Sequence, residues 1–429
     1  MTTIFRSSIL HFLSDPDVYG KDAYEFFDDG GLVVDDSEGV VLALGPFDSV
    51  KQSGAKIVDY SGTLLMPGLI DTHIHYSQLQ VIGSYGEQLL DWLNNYTFPA
   101  ERAFHDEAHA AKMSEFFLDE LLRCGTTTAL VFGSVHKQSV EQFFEASHKR
   151  NTRMICGKVM MDRNAPDFLT DTPKSSYSES KTLIKTWHKK GRQLYAITPR
   201  FAITSTPEQL AAAGKLMKEF PDCYMQTHIS ENKDEVEFVQ KLFPDALDYL
   251  DVYDKHNLLG PRSVFAHGIH LLPREHARLR ETQASVSFCP TSNLFLGSGL
   301  LNVAKLEEEK VIYSVATDVG GGTSMSMLQT LHEAYKVCQL NGHRLSPLKS
   351  LYLATLGNSK SLLLEDKIGS FRVGNEADFI VLDFNSTPLM SLKQASCNTL
   401  AEKLFAMIIL GDDRAVKATY IAGTLAHST

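Results

Sequence analysis

Between residues 65 and 318 the chain switches repeatedly between two hydrophobic periods, and this alternation restricts the possible folds more than any other feature. Eight short apolar runs rich in β-forming residues occur in order: LMPGLIDTHIH, TTTALVFG, RMICGKVMM, LYAITPRF, CYMQTHIS, SVFAHG, ASVSFCP and VIYSVATD. Longer stretches with apolar residues at helical spacing separate them, among them EAHAAKMSEFFLDELLRCG, PEQLAAAGKLMKEF and MSMLQTLHEAYKVCQL. Strands that alternate with helices pair in parallel, and eight such repeats are what an α/β protein with a TIM (β/α)8 barrel requires. That fold gathers catalytic groups at the C-terminal ends of its strands. No shorter repeat or low-complexity tract competes with this reading.

At 429 residues the chain exceeds one compact domain, so a barrel needs an appendage or a second domain. The first 67 residues carry short, turn-punctuated runs around Ile9 and in GGLVVDD, GVVLALG and AKIVDYSG. Similar runs return in GSFRVGNEADFIVLDF, KLFAMIILGDD and VKATYIAGTLAH. They are read as antiparallel strands, which predicts a small β-sandwich domain built from both termini (1–67 and 366–429) around a barrel at 68–365.

Composition removes other classes. Hydrophobic residues at 43% and charged residues at 22% are ordinary soluble usage, without a bias toward disorder, collagen or a disulfide scaffold. A net charge of -11 and the lack of a Lys/Arg stripe argue against a nucleic-acid partner. The opening MTTIFRSSILHFLSDPD lacks the h-region of a signal peptide, and no run approaches the roughly 20 apolar residues of a membrane span. A cytoplasmic protein without a membrane partner is expected. Six scattered cysteines form no C-x-x-C pair and read as reduced, buried thiols.

His73 and His75 end the first run, and a spacing of two puts both imidazoles on one face of a strand. Alone, His-x-His also occurs on ordinary polar surfaces. His228 ends the fifth run, His267 the sixth and Asp318 the eighth. Any one of these three could be a hydrogen-bonded histidine or a helix N-cap aspartate; their joint position at strand ends points instead to one barrel mouth. Neutral imidazoles with a carboxylate suit zinc, which acidifies a bound water to a pKa near about 7. Glu231, three residues after His228 in THISEN, stands close enough to act as general acid and base, although a solvated loop glutamate is the commoner fate. The following ENKDE reads as a charged helix start. The deaminase signature H-x-E with P-C-x-x-C is absent, since Cys289 in FCPTSN has no partner cysteine.

The motifs PGLIDTHIH, THISE, VFAHG and TDVGGGTS, in this order, resemble the amidohydrolase superfamily over nearly the whole chain. Within it, DTHIHYSQ, YGEQLLDWLNNYTFPAE, KVMMDRNAPD, ITPRFA, CPTSNLFLGSG and TDVGGGTSMSMLQTLHEAYK resemble the guanine deaminases. The resemblance implies one Zn2+ per subunit on His73, His75, His228 and Asp318, with Glu231 shuttling protons and His267 orienting the attacking water. It also implies a purine pocket lined by Gln78, Arg200 and Phe201 beside His75, His228, Glu231 and Asp318, Arg200 donating to the carbonyl O6. Arg200 stands where dinuclear relatives carry a metal-bridging lysine, so one metal is expected. The implied reaction is hydrolysis of guanine to xanthine and ammonia in purine catabolism, by a homodimer that binds this small-molecule purine. Another aminopurine, a pterin or a triazine on the same site is the nearest alternative, iron or cobalt could occupy the same ligands, and a non-catalytic scaffold is the alternative from another class.

Overall fold

The computed structural model describes residues 1–85 and 88–429. Two residues of the YGEQLLDWLNNYTFPAE segment, Gly86 and Glu87, lie outside the described residues. The N-terminal strands are β1 (Thr2–Phe12), β2 (Tyr24–Asp35), β3 (Val40–Pro46) and β4 (Lys56–Pro67). The eight central runs then form β5 (Leu69–His75), β6 (Thr126–Phe132), β7 (Arg153–Gly157) with its continuation β8 (Val159–Met160), β9 (Leu194–Pro199), β10 (Tyr224–Ile229), β11 (Ser263–His267), β12 (Ser285–Phe288) and β13 (Ile312–Val315). Three strands follow, β14 (Phe379–Leu382), β15 (Val416–Ile421) and β16 (Thr424–Ser428).

From β5 to β13 each strand pairs in parallel with the next, in chain order. Every residue of β5, β6, β7, β11 and β12 is buried, as in a sheet covered on both faces. The helical stretches form as their spacing predicts, at Glu107–Arg123, Pro207–Glu219 and Met327–Leu340. The first two are capped by Asp106 and Thr206, whose side chains accept from backbone N–H groups of the first turn.

The seam between β5 and β13 closes the barrel. His73 O accepts from Asp318 N at 2.9 Å, and His75 N donates to Val319 O at 2.8 Å. Asn358 bridges the same seam, donating through Nδ2 to Ile70 O and Val315 O at 2.7 Å each while Oδ1 accepts from Val315 N at 2.9 Å. Below the histidines, Asp71 accepts from His73 N and Thr317 N, both at 3.2 Å, and from the Thr317 hydroxyl at 2.5 Å.

Both chain ends share one seven-stranded sheet of order β16-β15-β14-β4-β1-β2-β3. Its core is built from Phe5, Ile9, Leu32, Val34, Leu65, Phe379 and neighbours, with the Phe379 and Tyr420 rings stacked 4.5 Å apart. Arg192 joins this part to the barrel, donating from Nε to Glu376 at 3.0 Å and from Nη1 to Asp378 at 3.1 Å.

Two expectations are corrected. The pair β1–β4 is parallel: along the chain the β2–β3 hairpin separates the two strands and supplies the connection that parallel neighbours need. KLFAMIILGDD is not a strand: Leu400–Leu410 is a helix. The reciprocal bonds of Thr399 and Glu402 cap its first turn, and Phe405 meets Tyr335 of the Met327–Leu340 helix edge to face at 4.9 Å. All six cysteines are free thiols, five of them buried, and among the described residues no helix is long and apolar enough to cross a membrane.

Replacing Asn358 by leucine leaves one N–H and two carbonyls of the seam without their partner. Unfolding in urea is expected to show a loss on the order of 3 kcal/mol; an unchanged midpoint would assign the closure to the backbone bonds alone.

Candidate active site

The two-residue period of β5 brings His73 and His75 to one side, where His228 arrives from β10, His267 from the end of β11 and Asp318 from the turn after β13. His267 and Asp318 have φ of +74° and +53°, a left-handed backbone that turns each side chain back over the strand ends. The glycines of TDVGGGTS permit this turn. A Cβ at Gly320 would lie 2.6 Å from Gln78 O, and one at Gly322 would lie 1.8 Å from Thr317 O.

His75 Nε2 lies 3.3 Å from His73 Nε2 and 3.2 Å from His228 Nε2, while Asp318 Oδ1 lies 3.1 Å from His73 Nε2 and 3.4 Å from His75 Nε2. Burial lowers the His75 pKa to about 3 and that of His228 well below its ordinary value, so both rings are neutral. Burial acts to raise the Asp318 carboxyl, but the imidazoles packed around it outweigh this and hold it well below the usual range. The tautomer of His228 follows from its other nitrogen. Nδ1 donates to Arg200 O at 2.7 Å, which leaves the Nε2 lone pair facing the cluster. The Nε2 atoms of His73, His75 and His228 converge at these short distances. The donor atoms of His73, His75, His228 and Asp318, all within 4.8 Å of one another, therefore fit a divalent metal.

A second trio, His188, Asp222 and Cys223, has similar spacing. There Tyr195 N donates to His188 Nδ1 at 3.1 Å, so the neutral ring carries its proton on Nε2 and has no lone pair for a metal. Cys289 lies beside His73, His267 and Asp318, but burial pushes its thiol far up and Sγ donates to Ser287 O at 3.4 Å.

Glu231 follows β10 and is buried. Burial, reinforced by the Asp318 charge, raises its pKa to about 8. One carboxyl oxygen accepts from Ser298 Oγ at 3.0 Å and the other stands 3.4 Å from His267 Nε2. His267 Nδ1 is directed to Asn293 Oδ1 at 2.9 Å, so Nε2 faces the site. ENKDE does start a helix, Lys233–Leu242 capped by Asn232, and its Glu235 does more than carry charge. Glu235 Oε2 accepts from Glu231 N at 2.8 Å and Asn232 N at 3.0 Å, and Oε1 accepts from Tyr249 OH at 2.7 Å, which fixes the Glu231 backbone.

A pocket opens over the cluster. Of the residues singled out in the sequence, His75, Gln78, Arg200, Phe201, His228, Glu231, His267 and Asp318 line it; His73 is buried beneath. Sequence reasoning missed the apolar walls Leu89, Trp92, Leu93 and Leu296, and it missed Glu101. The fully buried Glu101 accepts from Arg200 Nη1 at 2.9 Å on both oxygens and from Gln78 Nε2 at 3.0 Å. The one available signal was a lone carboxylate closing the apolar WLNNYTFPAE stretch.

The amidohydrolase family matches residues 64–426. The guanine deaminase of Escherichia coli (strain K12) is 53% identical over 408 residues, 94% of this chain and 92% of that protein. The crystal structure of guanine deaminase from Bradyrhizobium japonicum superposes with a TM-score of 0.97 at 39% identity, covering 100% of both chains. That of guanine deaminase from C. acetobutylicum, with guanine bound in the active site, gives 0.89 at 29% identity, again covering 100% of both. A match over this span, joined to relatives this similar along nearly their whole length, places the chain in the amidohydrolase family.

Proposed function

We propose that this chain hydrolyses guanine to xanthine and ammonia, acting as a deaminase with one zinc ion held by His73, His75, His228 and Asp318. The observation that carries the reading is the convergence of Glu231, His267, Arg200 and Gln78 on one pocket above the three imidazoles and Asp318. Similarity to the guanine deaminases supports the choice of substrate.

Zinc on these ligands would supply a water acidified to a pKa near about 7. The chain's residues do the rest. His267 Nε2 and Glu231 flank the site of attack. Glu231 takes a proton from the water and passes it to N3 of the ring as the water oxygen bonds to C2. It then carries the second proton of that oxygen to the exocyclic amine, so that the C2–N bond breaks and ammonia leaves with C2 left as a carbonyl. Arg200 donates to O6 through guanidinium N–H groups not taken by Glu101. Gln78, with Nε2 held by Glu101 and Oε1 accepting from Gly320 N, lines the pocket, and Phe201 and Trp92 exclude water from the ring faces. Asp318 completes the metal set and touches the attacking water. The domain division 1–67, 68–365 and 366–429, a homodimer and a cytoplasmic setting belong to the same proposal.

Glu231→Gln is expected to keep its metal, measured by elemental analysis, and to lose on the order of 10² to 10⁴ in kcat; near wild-type turnover would remove the proton-shuttle role. A neutral carboxyl at a pKa of about 8 ionises when a cation arrives beside it, so adding zinc to metal-free protein at neutral pH should release protons. Calorimetry in buffers of different ionisation enthalpy reads that number, and Glu231→Gln should release fewer. Absorbance assays with guanine, adenine, cytosine, a pterin and a triazine test the substrate. Turnover of guanine alone is expected, and turnover of another member instead would discard the pocket assignments while keeping the zinc chemistry.

A further inference from the structure

We infer that Glu101 sets the charge selectivity of the pocket: by neutralising Arg200 it makes the site accept uncharged heterocycles and reject anionic ones of the same shape. This rests on the guanine reading for the identity of the substrate. Arg200 is 3% exposed and Glu101 0%, so the pair is dry and its charges cancel where the ring carbonyl would dock. A buried guanidinium without a carboxylate bound to it would favour an anion in the pocket, because an anion offsets the loss of its hydration. Glu101 takes Nη1 alone, and the guanidinium carbon sits 5.3 Å above the Phe98 ring, which further stabilises the cation without adding charge. No lysine and no second arginine lines the pocket among the described residues.

The same carboxylate takes Gln78 Nε2, and Gly320 N donates to Gln78 Oε1 at 3.3 Å. Both polar side chains that read the ring are thus oriented by one residue that does not line the pocket. Glu101 is a positioning residue, and its negative charge is the property that matters. The consequence reaches the product. Exchanging an exocyclic amine for a carbonyl makes the ring N–H groups more acidic, so the product ionises more readily than the substrate. A pocket whose cationic arm is already neutralised does not retain that anion.

The test compares competitive inhibition by hypoxanthine, which is uncharged at neutral pH, with inhibition by urate, which is a monoanion. Wild type and the zinc-loaded Glu101→Gln and Glu101→Asp proteins are measured at one pH. In Glu101→Gln the ratio of urate to hypoxanthine affinity is expected to rise by about tenfold or more over wild type, the scale of one uncompensated charge. KM for guanine should rise more than kcat falls. Glu101→Asp keeps the charge and should keep the wild-type ratio. A ratio within about twofold of wild type in folded Glu101→Gln overturns the inference. If that protein does not fold, wild-type or Glu101→Asp enzyme binding urate as tightly as hypoxanthine overturns it. Failure of wild type to deaminate guanine would fall on the substrate reading alone, since calorimetric binding of the two probes still reports the charge preference.

Discussion

The closure of the barrel between β5 and β13 is the interaction on which the rest depends. It is made by backbone bonds at or beside the candidate site residues: His73 O accepts from Asp318 N, and His75 N donates to Val319 O. Three of the four candidate metal ligands therefore sit on the seam. Asp71, Thr317 and Asn358 surround it with side-chain bonds, so the first and last strands hold register to within a hydrogen-bond length. Asp318, one partner in these bonds, has a left-handed φ of +53°.

Burial then does the electrostatic work. Removing water from the mouth keeps His75 and His228 neutral, and carbonyl or amide partners on the far nitrogens of His228 and His267 decide which lone pairs face the centre. The same dryness raises Glu231, which a neighbouring cation would lower again. In His188 the backbone partner lies on the opposite side of the proton balance, and a trio with similar spacing is unfit for a metal. Spacing alone does not make a site; the hydrogen bond on the other nitrogen does.

Much of the architecture is legible in the linear pattern. Each of the eight runs became a strand of the barrel, and the site residues picked for their place at run ends meet at one mouth. The errors have local causes. KLFAMIILGDD is apolar enough for either element, and a capping box together with a partner helix decided in favour of a helix. The parallel β1–β4 pair was invisible because strand direction depends on which strands become neighbours, not on either strand's composition.

By itself the sequence determined what is periodic or local: strand and helix alternation, the placement of His73, His75, His228, His267 and Asp318 at strand ends, and the nearness of Glu231 to His228. Tertiary structure alone decided what depends on contacts between distant segments. It gave Arg200 and Gln78 a common partner in Glu101, set the tautomer of His228 through the Arg200 carbonyl, and anchored Glu231 through Glu235 and Tyr249. The physical reason is that hydrophobic period is written along one segment, whereas charge compensation and hydrogen-bond satisfaction in a dry interior are properties of the groups that folding brings together.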